Sequence, residues 1–401
     1  MTGSAYRVPG VRLGVAAAGI KYADRNDLLV IEIPETGNCA AVFTRNAFCA
    51  APVQLARQHL QQDRPRFLMV NSGNANAGTG QPGLESTRRT CQALAEAAAP
   101  CRSGQVLPFS TGVIGEPLPW ERINEALPRA LQDLSEDGWE PASRAIMTTD
   151  TRPKLVTRQF EVDGVAVRVT GMAKGSGMIR PDMATMLAYL ATDLAVEPSL
   201  LQEILEQAVK PSFNSITVDG DTSTNDACVL IASGVSSLAP LNDRGAAIFA
   251  PFVQAVQEVC MSLAREIISD GEGATKLVEV WVEGAADEQE ARDVAYTIAQ
   301  SPLVKTALFA SDPNWGRILA AVGRAGIQAL DIERVAIWLD DVCIVAQGGR
   351  AAAYTEAAGQ AVMQRSEFTI RVDLGRGEAQ TRVLTCDFSY DYVKINAEYR
   401  T

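Results

Sequence analysis

The chain has 401 residues, 47% of them hydrophobic and 21% charged, an ordinary globular composition long enough for two or three domain-sized units. With 36 Lys+Arg against 48 Asp+Glu the net charge is −12, no basic run occurs and aromatics are only 6%, which argues against nucleic acid as a partner. No apolar stretch reaches the roughly 18 residues needed to span a bilayer, so no membrane partner is expected.

In chain order, the first apolar segment is Leu13-Gly-Val-Ala-Ala-Ala-Gly-Ile20, behind Arg7 and Arg12. It is short, mostly Ala and Gly, and closed by Lys21, too weak for a secretory signal, so a cytoplasmic protein is expected. Strands are predicted over residues 28–33 and 66–70. The run Asn71-Ser-Gly-Asn-Ala-Asn-Ala-Gly-Thr-Gly80 follows directly, and is open to two readings, a site lining or a solvent-facing turn. Helices are predicted over 85–99 and 120–134, a strand over 165–169, a helix over 199–209 and a strand over 227–233. A long helix over 246–268 is ended by the Gly271-Glu-Gly273 turn. Strands over 277–282, 335–339, 368–372 and 382–386 and a helix over 287–300 complete a mixture that reads as layered α+β or α/β. Internal repeats and low-complexity linkers are absent.

Eight cysteines occur without a CxxC pair, mostly in apolar contexts such as Ala227-Cys-Val-Leu230, and read as small buried hydrophobes of a reducing compartment. The one histidine, His59, has no catalytic context and reads as a surface residue. A zinc site built on several histidines is therefore excluded, and a Ser-His-Asp or Cys-His enzyme would have to use His59. No glycine-rich stretch has the spacing of a phosphate-cradling loop.

The densest chemical signal is Gly171-Met-Ala-Lys-Gly-Ser-Gly-Met-Ile-Arg-Pro-Asp-Met-Ala-Thr-Met-Leu187, a glycine loop with a lysine that runs into a buried strand. By spacing alone Thr185 reads as one more β-branched strand residue rather than a nucleophile. With histidine out of play, a hydroxyl nucleophile needs another base. An α-amino group, whose pKa is about 7.7–8.0, serves if the residue becomes a chain terminus. That requires scission before Thr185, achieved by attack of its hydroxyl on the Ala184 carbonyl, an N-to-O acyl shift and hydrolysis of the ester.

Lys174-Gly-Ser-Gly-Met-Ile179 followed by Pro181-Asp-Met-Ala-Thr-Met-Leu187 resembles the self-cleavage and nucleophile motif of the ornithine acetyltransferase, or glutamate N-acetyltransferase, family. The resemblance covers nearly the whole chain. It takes in Phe48-Cys-Ala-Ala-Pro-Val53, Asn71-Ser-Gly-Asn-Ala-Asn76, Ser110-Thr-Gly-Val-Ile-Gly115 and Met147-Thr-Thr-Asp-Thr151. It continues through Thr217-Val-Asp-Gly-Asp-Thr-Ser-Thr-Asn-Asp226, Asp270-Gly-Glu-Gly-Ala-Thr-Lys276, Ser311-Asp-Pro-Asn-Trp-Gly-Arg317 and Tyr392-Val-Lys-Ile-Asn-Ala-Glu-Tyr-Arg-Thr401.

The resemblance implies a fold similar to N-terminal-nucleophile hydrolases but distinct in topology. It implies an α chain of residues 1–184 and a β chain of residues 185–401, assembled as α2β2. The implied activity is acetyl transfer from N2-acetyl-L-ornithine to L-glutamate in arginine biosynthesis, with no metal or prosthetic group; some members also accept acetyl-CoA. It carries over Thr185 as nucleophile, Ala184-Thr185 as the cleavage site, and Thr111 and Gly112 as oxyanion donors. Thr148, Lys174, Thr185, Glu272, Asn396 and Thr401 carry over as substrate contacts. The competing readings are a hydrolase or aminopeptidase with the same self-released threonine, and a non-enzymatic binding protein in which Thr185 is inert.

Overall fold

The computed structural model describes residues 5–180 and 186–399; the expected scission point Ala184-Thr185 and the terminal Thr401 lie outside the described residues. Two compact units form, one from residues 5–175, 186–214 and 222–267, the other from 176–180, 215–221 and 268–399.

The chain begins with β1 (Arg12–Ala16), β2 (Leu28–Glu32), β3 (Asn38–Phe43), α1 (Ala51–Gln62), β4 (Phe67–Asn74) and α2 (Gly80–Ala97). Next come β5 (Val106–Val113), α3 (Trp120–Gln132), α4 (Trp139–Ala145), β6 (Lys154–Val162), β7 (Val165–Lys174) and β8 (Leu187–Thr192). Then follow α5 (Pro198–Val209), β9 (Ile216–Thr217), β10 (Ala227–Ala232), α6 (Phe249–Ser269), β11 (Leu277–Ala285) and α7 (Glu288–Ala299). The remainder is α8 (Pro302–Phe309), α9 (Trp315–Gly323), β12 (Ala336–Leu339), β13 (Val342–Ala346), β14 (Gly349–Arg350), α10 (Glu356–Met363), β15 (Glu367–Asp373), β16 (Ala379–Cys386) and α11 (Tyr390–Ala397).

The first unit holds two sheets, β1-β2-β4-β5 and β3-β10-β8-β7-β6. Alternating residues decide how they pack. Leu29, Ile31, Leu68, Val70, Leu107 and Phe109 of the first sheet share a core with Phe43, Met172, Leu187, Tyr189, Val229 and Ile231 of the second. Phe109 meets Tyr189 edge-on at 5.4 Å between ring centroids, a geometry worth about 0.5–1.5 kcal/mol beyond area burial. The residues of opposite parity, Leu28, Val30, Phe67, Met69 and Val106, pack beneath Leu94 of α2 and Ile123 and Leu127 of α3. On the outer side of the second sheet Arg158 of β6 donates to Glu258 and Ser262 of α6. The central strands β8 and β10 are buried at every residue, as continuous apolar runs with both faces covered should be.

The second unit is built on a seven-stranded mixed sheet, β14-β13-β12-β15-β11-β16-β9. Its core joins Val278, Val280 and Val282 of β11 to Val294 and Ile298 of α7 and to Ile318 and Val322 of α9. Helix α7 starts where the sequence signals it, with the Asp287 carboxylate accepting the Glu290 N–H at 2.8 Å.

The layered α+β architecture expected from the sequence is the one observed, and each predicted strand and helix is found with its ends shifted by up to five residues. Both compact units draw on residues from either side of position 184. Strands β8 and β10 and helix α5, all beyond residue 185, complete the layers begun by β3, β6 and β7.

Candidate active site

In the second sheet of the first unit, Lys174 ends β7 opposite Leu187, and Leu187 in turn lies level with Ala227 of β10. Cross-strand partners share a face. Leu187 and Ala227 point into the inter-sheet core, and Lys174 points the same way from the end of the sheet. There its Nζ donates to Thr111 Oγ1 at 3.2 Å, and Lys174 is only 9% exposed. The last described pair of the β7–β8 ladder is Lys174 with Leu187, which stands two residues past Thr185 in the sequence.

Thr111 and Gly112 lie near the end of β5, which runs parallel to β4. The pairing is irregular here, with Asn74 facing both Thr111 and Val113. Gly112 has φ +133°, and a Cβ on it would stand 2.3 Å from the Gly73 carbonyl carbon and 2.6 Å from the Asn74 nitrogen. Only glycine fits. The asparagine run, open at the sequence level between a site lining and a solvent turn, begins as buried strand. Ser110 Oγ donates to Asn71 Oδ1 at 2.5 Å, Asn71 Nδ2 to the Asn74 carbonyl at 2.9 Å, and Asn74 Nδ2 to the carbonyls of Glu116 and Pro117. Asn225 Nδ2 adds bonds to the carbonyls of Ala75 and Ser110 at 2.6 and 2.8 Å. Side-chain amides thus hold the backbone around Thr111-Gly112 from both flanks, in a buried setting where each lost partner would cost about 1–3 kcal/mol.

Asp150 gathers the neighbouring parts. Its carboxylate accepts the Thr148 N–H at 3.0 Å, the Gly175 N–H at 2.7 Å and the Lys154 ammonium at 2.6 Å, the last with both side chains fully buried. Burial pushes this carboxyl up, but the charges of Lys174 and Lys154 and the Gly175 N–H outweigh that and hold it at about 2. The folded value lies below the unfolded one of about 4. The group therefore contributes stability that is complete above about pH 4 and lost as pH falls toward 2, on the order of 2 kcal/mol. Lys154→Met would strand the buried carboxylate, and we expect it to cost about 3–5 kcal/mol, read from the shift of a urea midpoint at neutral pH. A loss below about 1 kcal/mol would contradict this account of the pair.

The second unit holds a separate polar cluster. Glu272 is buried, its N–H donates to the Ser176 carbonyl at 2.8 Å, and its Oε2 accepts from Asn396 Nδ2 of α11 at 2.8 Å. Gly177 lies against the Glu272 carboxylate so closely that a Cβ there would sit 2.4 Å from Oε2. Asp219 accepts the N–H groups of Met178 and Ile179 at 2.6 and 2.9 Å and, more loosely, the Tyr392 hydroxyl at 3.4 Å. Burial raises the Asp219 carboxyl, against the lowering effect of those N–H bonds. The Tyr392 ring stacks on Phe388 at 4.5 Å.

Among the expected site residues, the structure joins Thr111, Gly112, Thr148 and Lys174 in one cluster and Glu272 with Asn396 in another. Ala184, Thr185 and Thr401 lie outside the described residues. Three buried titratable groups escaped the sequence reading: Asp150, Lys154 and Asp226. The usable signal was an acid abutting an apolar run, as Asp226 abuts Ala227-Cys-Val-Leu-Ile231, and a lysine opening one, as in Lys154-Leu-Val156. His59 needs correcting. It is buried, not on the surface, and its Nδ1 bonds the Val106 carbonyl at 2.7 Å, because α1 packs that face of its helix onto the start of β5.

The model of the ArgJ family matches residues 12–401. Over 394 residues the chain is 63% identical to the arginine biosynthesis bifunctional protein ArgJ of Methylococcus capsulatus, covering 98% of this chain and 96% of that relative. It is 57% identical over 394 residues to the protein of the same name from Pseudomonas fluorescens, covering 98% and 97%. Among solved structures, arginine biosynthesis bifunctional protein ArgJ of Bacillus halodurans is 40% identical, the match covering 52% of this chain and 97% of that one with a TM-score of 0.49. The chain belongs to the ArgJ family.

Proposed function

We propose that this protein is a glutamate N-acetyltransferase of arginine biosynthesis that cuts itself before Thr185 and moves acetyl from N2-acetyl-L-ornithine to L-glutamate through an acetyl-threonine intermediate. The freed Thr185 amine takes the proton of its own hydroxyl, which attacks the acetyl carbonyl. The tetrahedral oxyanion is met by Thr111 and Gly112. Collapse expels the α-nitrogen of ornithine, which takes the proton from the Thr185 ammonium. Glutamate then enters, its α-amine attacks the ester, and the threonine hydroxyl is restored, giving ping-pong kinetics.

The single observation that best supports this reading is the Lys174–Thr111 contact, made inside the fold. A hydroxyl that accepts from an ammonium has its own hydrogen left to donate, and its donor strength rises with the charge behind it. The same ammonium suits the α-carboxylate that both substrates carry, while Thr148 is held by Asp150 as a further contact. The family resemblance adds Glu272, Asn396 and Thr401 as substrate contacts, and a carboxylate at Glu272 matches the δ-ammonium of ornithine. Mature α and β chains, assembled as α2β2 in the cytoplasm, belong to the same reading. Relatives are named bifunctional; for this chain that supports acetyl-CoA as a second donor.

The test is direct. Purified enzyme is incubated with glutamate and either N2-acetylornithine or acetyl-CoA, and N-acetylglutamate is measured. Formation from acetylornithine is expected. Release of free acetate without N-acetylglutamate would instead identify a hydrolase.

A further inference from the structure

Arg25 is used by no step above, yet it holds the carbonyl of the residue before Thr148. Helix α4 ends at Ala145, and a helix leaves its last carbonyls without partners one turn further on. Here side chains from elsewhere in the fold take them. The Ser72 hydroxyl of β4 donates to the Ala145 carbonyl at 2.7 Å. The Arg25 guanidinium donates to the Met147 carbonyl and, more loosely, to the Arg144 carbonyl at 3.5 Å, which also places a cation at the negative end of the helix. The Met147 carbonyl and the Thr148 N–H belong to one peptide group, and that N–H donates to Asp150 at 3.0 Å. A single planar unit is thus held at both ends, its oxygen by Arg25 and its nitrogen by Asp150. Neither tie uses the Thr148 side chain.

The same ties reach the strand pair that carries the expected oxyanion donors. Ser72 stands level with Thr111 in the β4–β5 ladder, and Gly73 with Gly112. Besides holding Ala145, Ser72 donates its N–H to the Asp27 carbonyl at 2.9 Å. Asp27 is buried and closes the loop that carries Arg25, its carboxylate accepting the N–H groups of Ala18 and Ile20, both at 2.6 Å. The ties form a circuit, from Ser72 to Asp27, through Arg25 to Met147, and from Ala145 back to Ser72. We propose that Arg25 is a positioning residue for substrate: by fixing the Met147–Thr148 peptide against the strands that hold Thr111 and Gly112, it sets where the Thr148 side chain meets N2-acetylornithine. It touches no reacting atom. Removing the guanidinium frees one end of that peptide, while the β4–β5 ladder and the Asn225 amide still hold the oxyanion strand. Binding therefore suffers and the chemical step does not.

This inference rests on the acetyltransferase reading, so wild-type acetyl transfer from N2-acetylornithine to glutamate is measured first; no transfer at all defeats that reading itself. With transfer present, intact mass confirms that each variant has cut itself. The acetylation half-reaction is then followed by rapid quench at rising N2-acetylornithine for wild type, Arg25→Ala, Thr148→Ala and the double variant. Arg25→Ala is expected to raise the half-saturating concentration about tenfold, the scale of a misplaced positioning group, and to leave the plateau rate within about twofold. In the double variant Arg25→Ala adds nothing to the effect of Thr148→Ala, because it acts through that side chain. The proposal is overturned if the two changes add, or if Arg25→Ala lowers only the plateau rate. It is overturned equally if half-saturation stays within about twofold of wild type while the unfolding temperature falls, the mark of a cap on α4 and nothing more. Should Arg25→Ala fail to fold or to cut itself, Arg25→Lys, which keeps the charge without the fork, runs the same cycle and is judged by the same outcomes.

Discussion

Thr185→Ala is expected to yield a single uncut chain with no measurable acetyl transfer. The hydroxyl is assigned two tasks, attack on the Ala184 carbonyl and attack on the acetyl group, and the variant lacks it for both. Loss of a nucleophile in acyl-transfer enzymes costs about 10⁴–10⁶ in kcat, and here the base would be lost with it, because the α-amine exists only after scission. The layers should survive. The ladder of β7 with β8 and of β8 with β10 is formed by residues 169–174, 187–192 and 227–232. Intact mass and thermal unfolding separate the outcomes. Two fragments from this variant would show that another nucleophile cuts the chain.

Gly112→Ala comes next in size. An added methyl would be forced against the β4 backbone at 2.3–2.6 Å, at a φ of +133° that alanine avoids. The obstacle is main chain, so no rotamer change relieves it, and β5 must move away from β4 where Thr111 meets Lys174. An oxyanion donor displaced in this way costs about 10²–10³ in kcat. KM should change far less than kcat, because the oxyanion forms only after binding. Steady-state kinetics on the folded variant decide this. A loss confined to KM would mean that Gly112 shapes the substrate site and is no part of the oxyanion hole.

How legible the molecule was depended on length scale. Long periodic segments gave themselves away: α7 carried both its apolar period and its Asp287 cap, and β10 was a bare apolar run. Elements whose signals are tertiary did not. Asn71–Asn74 read as either a site lining or a turn because asparagine favours turns, yet these residues are strand, paired with β5 and held by amide-to-carbonyl and hydroxyl-to-amide bonds where that pairing becomes irregular. His59 looked exposed beside Arg57 and Gln58 because sequence shows no packing partner, and its partner, Val106, lies 47 residues away. Motif resemblance pointed to Thr111, Gly112, Thr148 and Lys174, which the structure brings together, and to Glu272 and Asn396, which bond each other. The carboxyls beside them were not legible, because the state of Asp150 or Asp226 depends on burial and on a lysine from another strand.

The measurement that bears most directly on the mechanism is rapid acid quenching of the mature enzyme after mixing with N2-acetylornithine alone, followed by peptide mass analysis. The account predicts a β chain beginning at Thr185 that carries one acetyl group as an ester on that threonine, discharged when glutamate is added. An acetyl group on any other side chain, or N-acetylglutamate produced at full rate by a chain still joined at Ala184-Thr185, would contradict it.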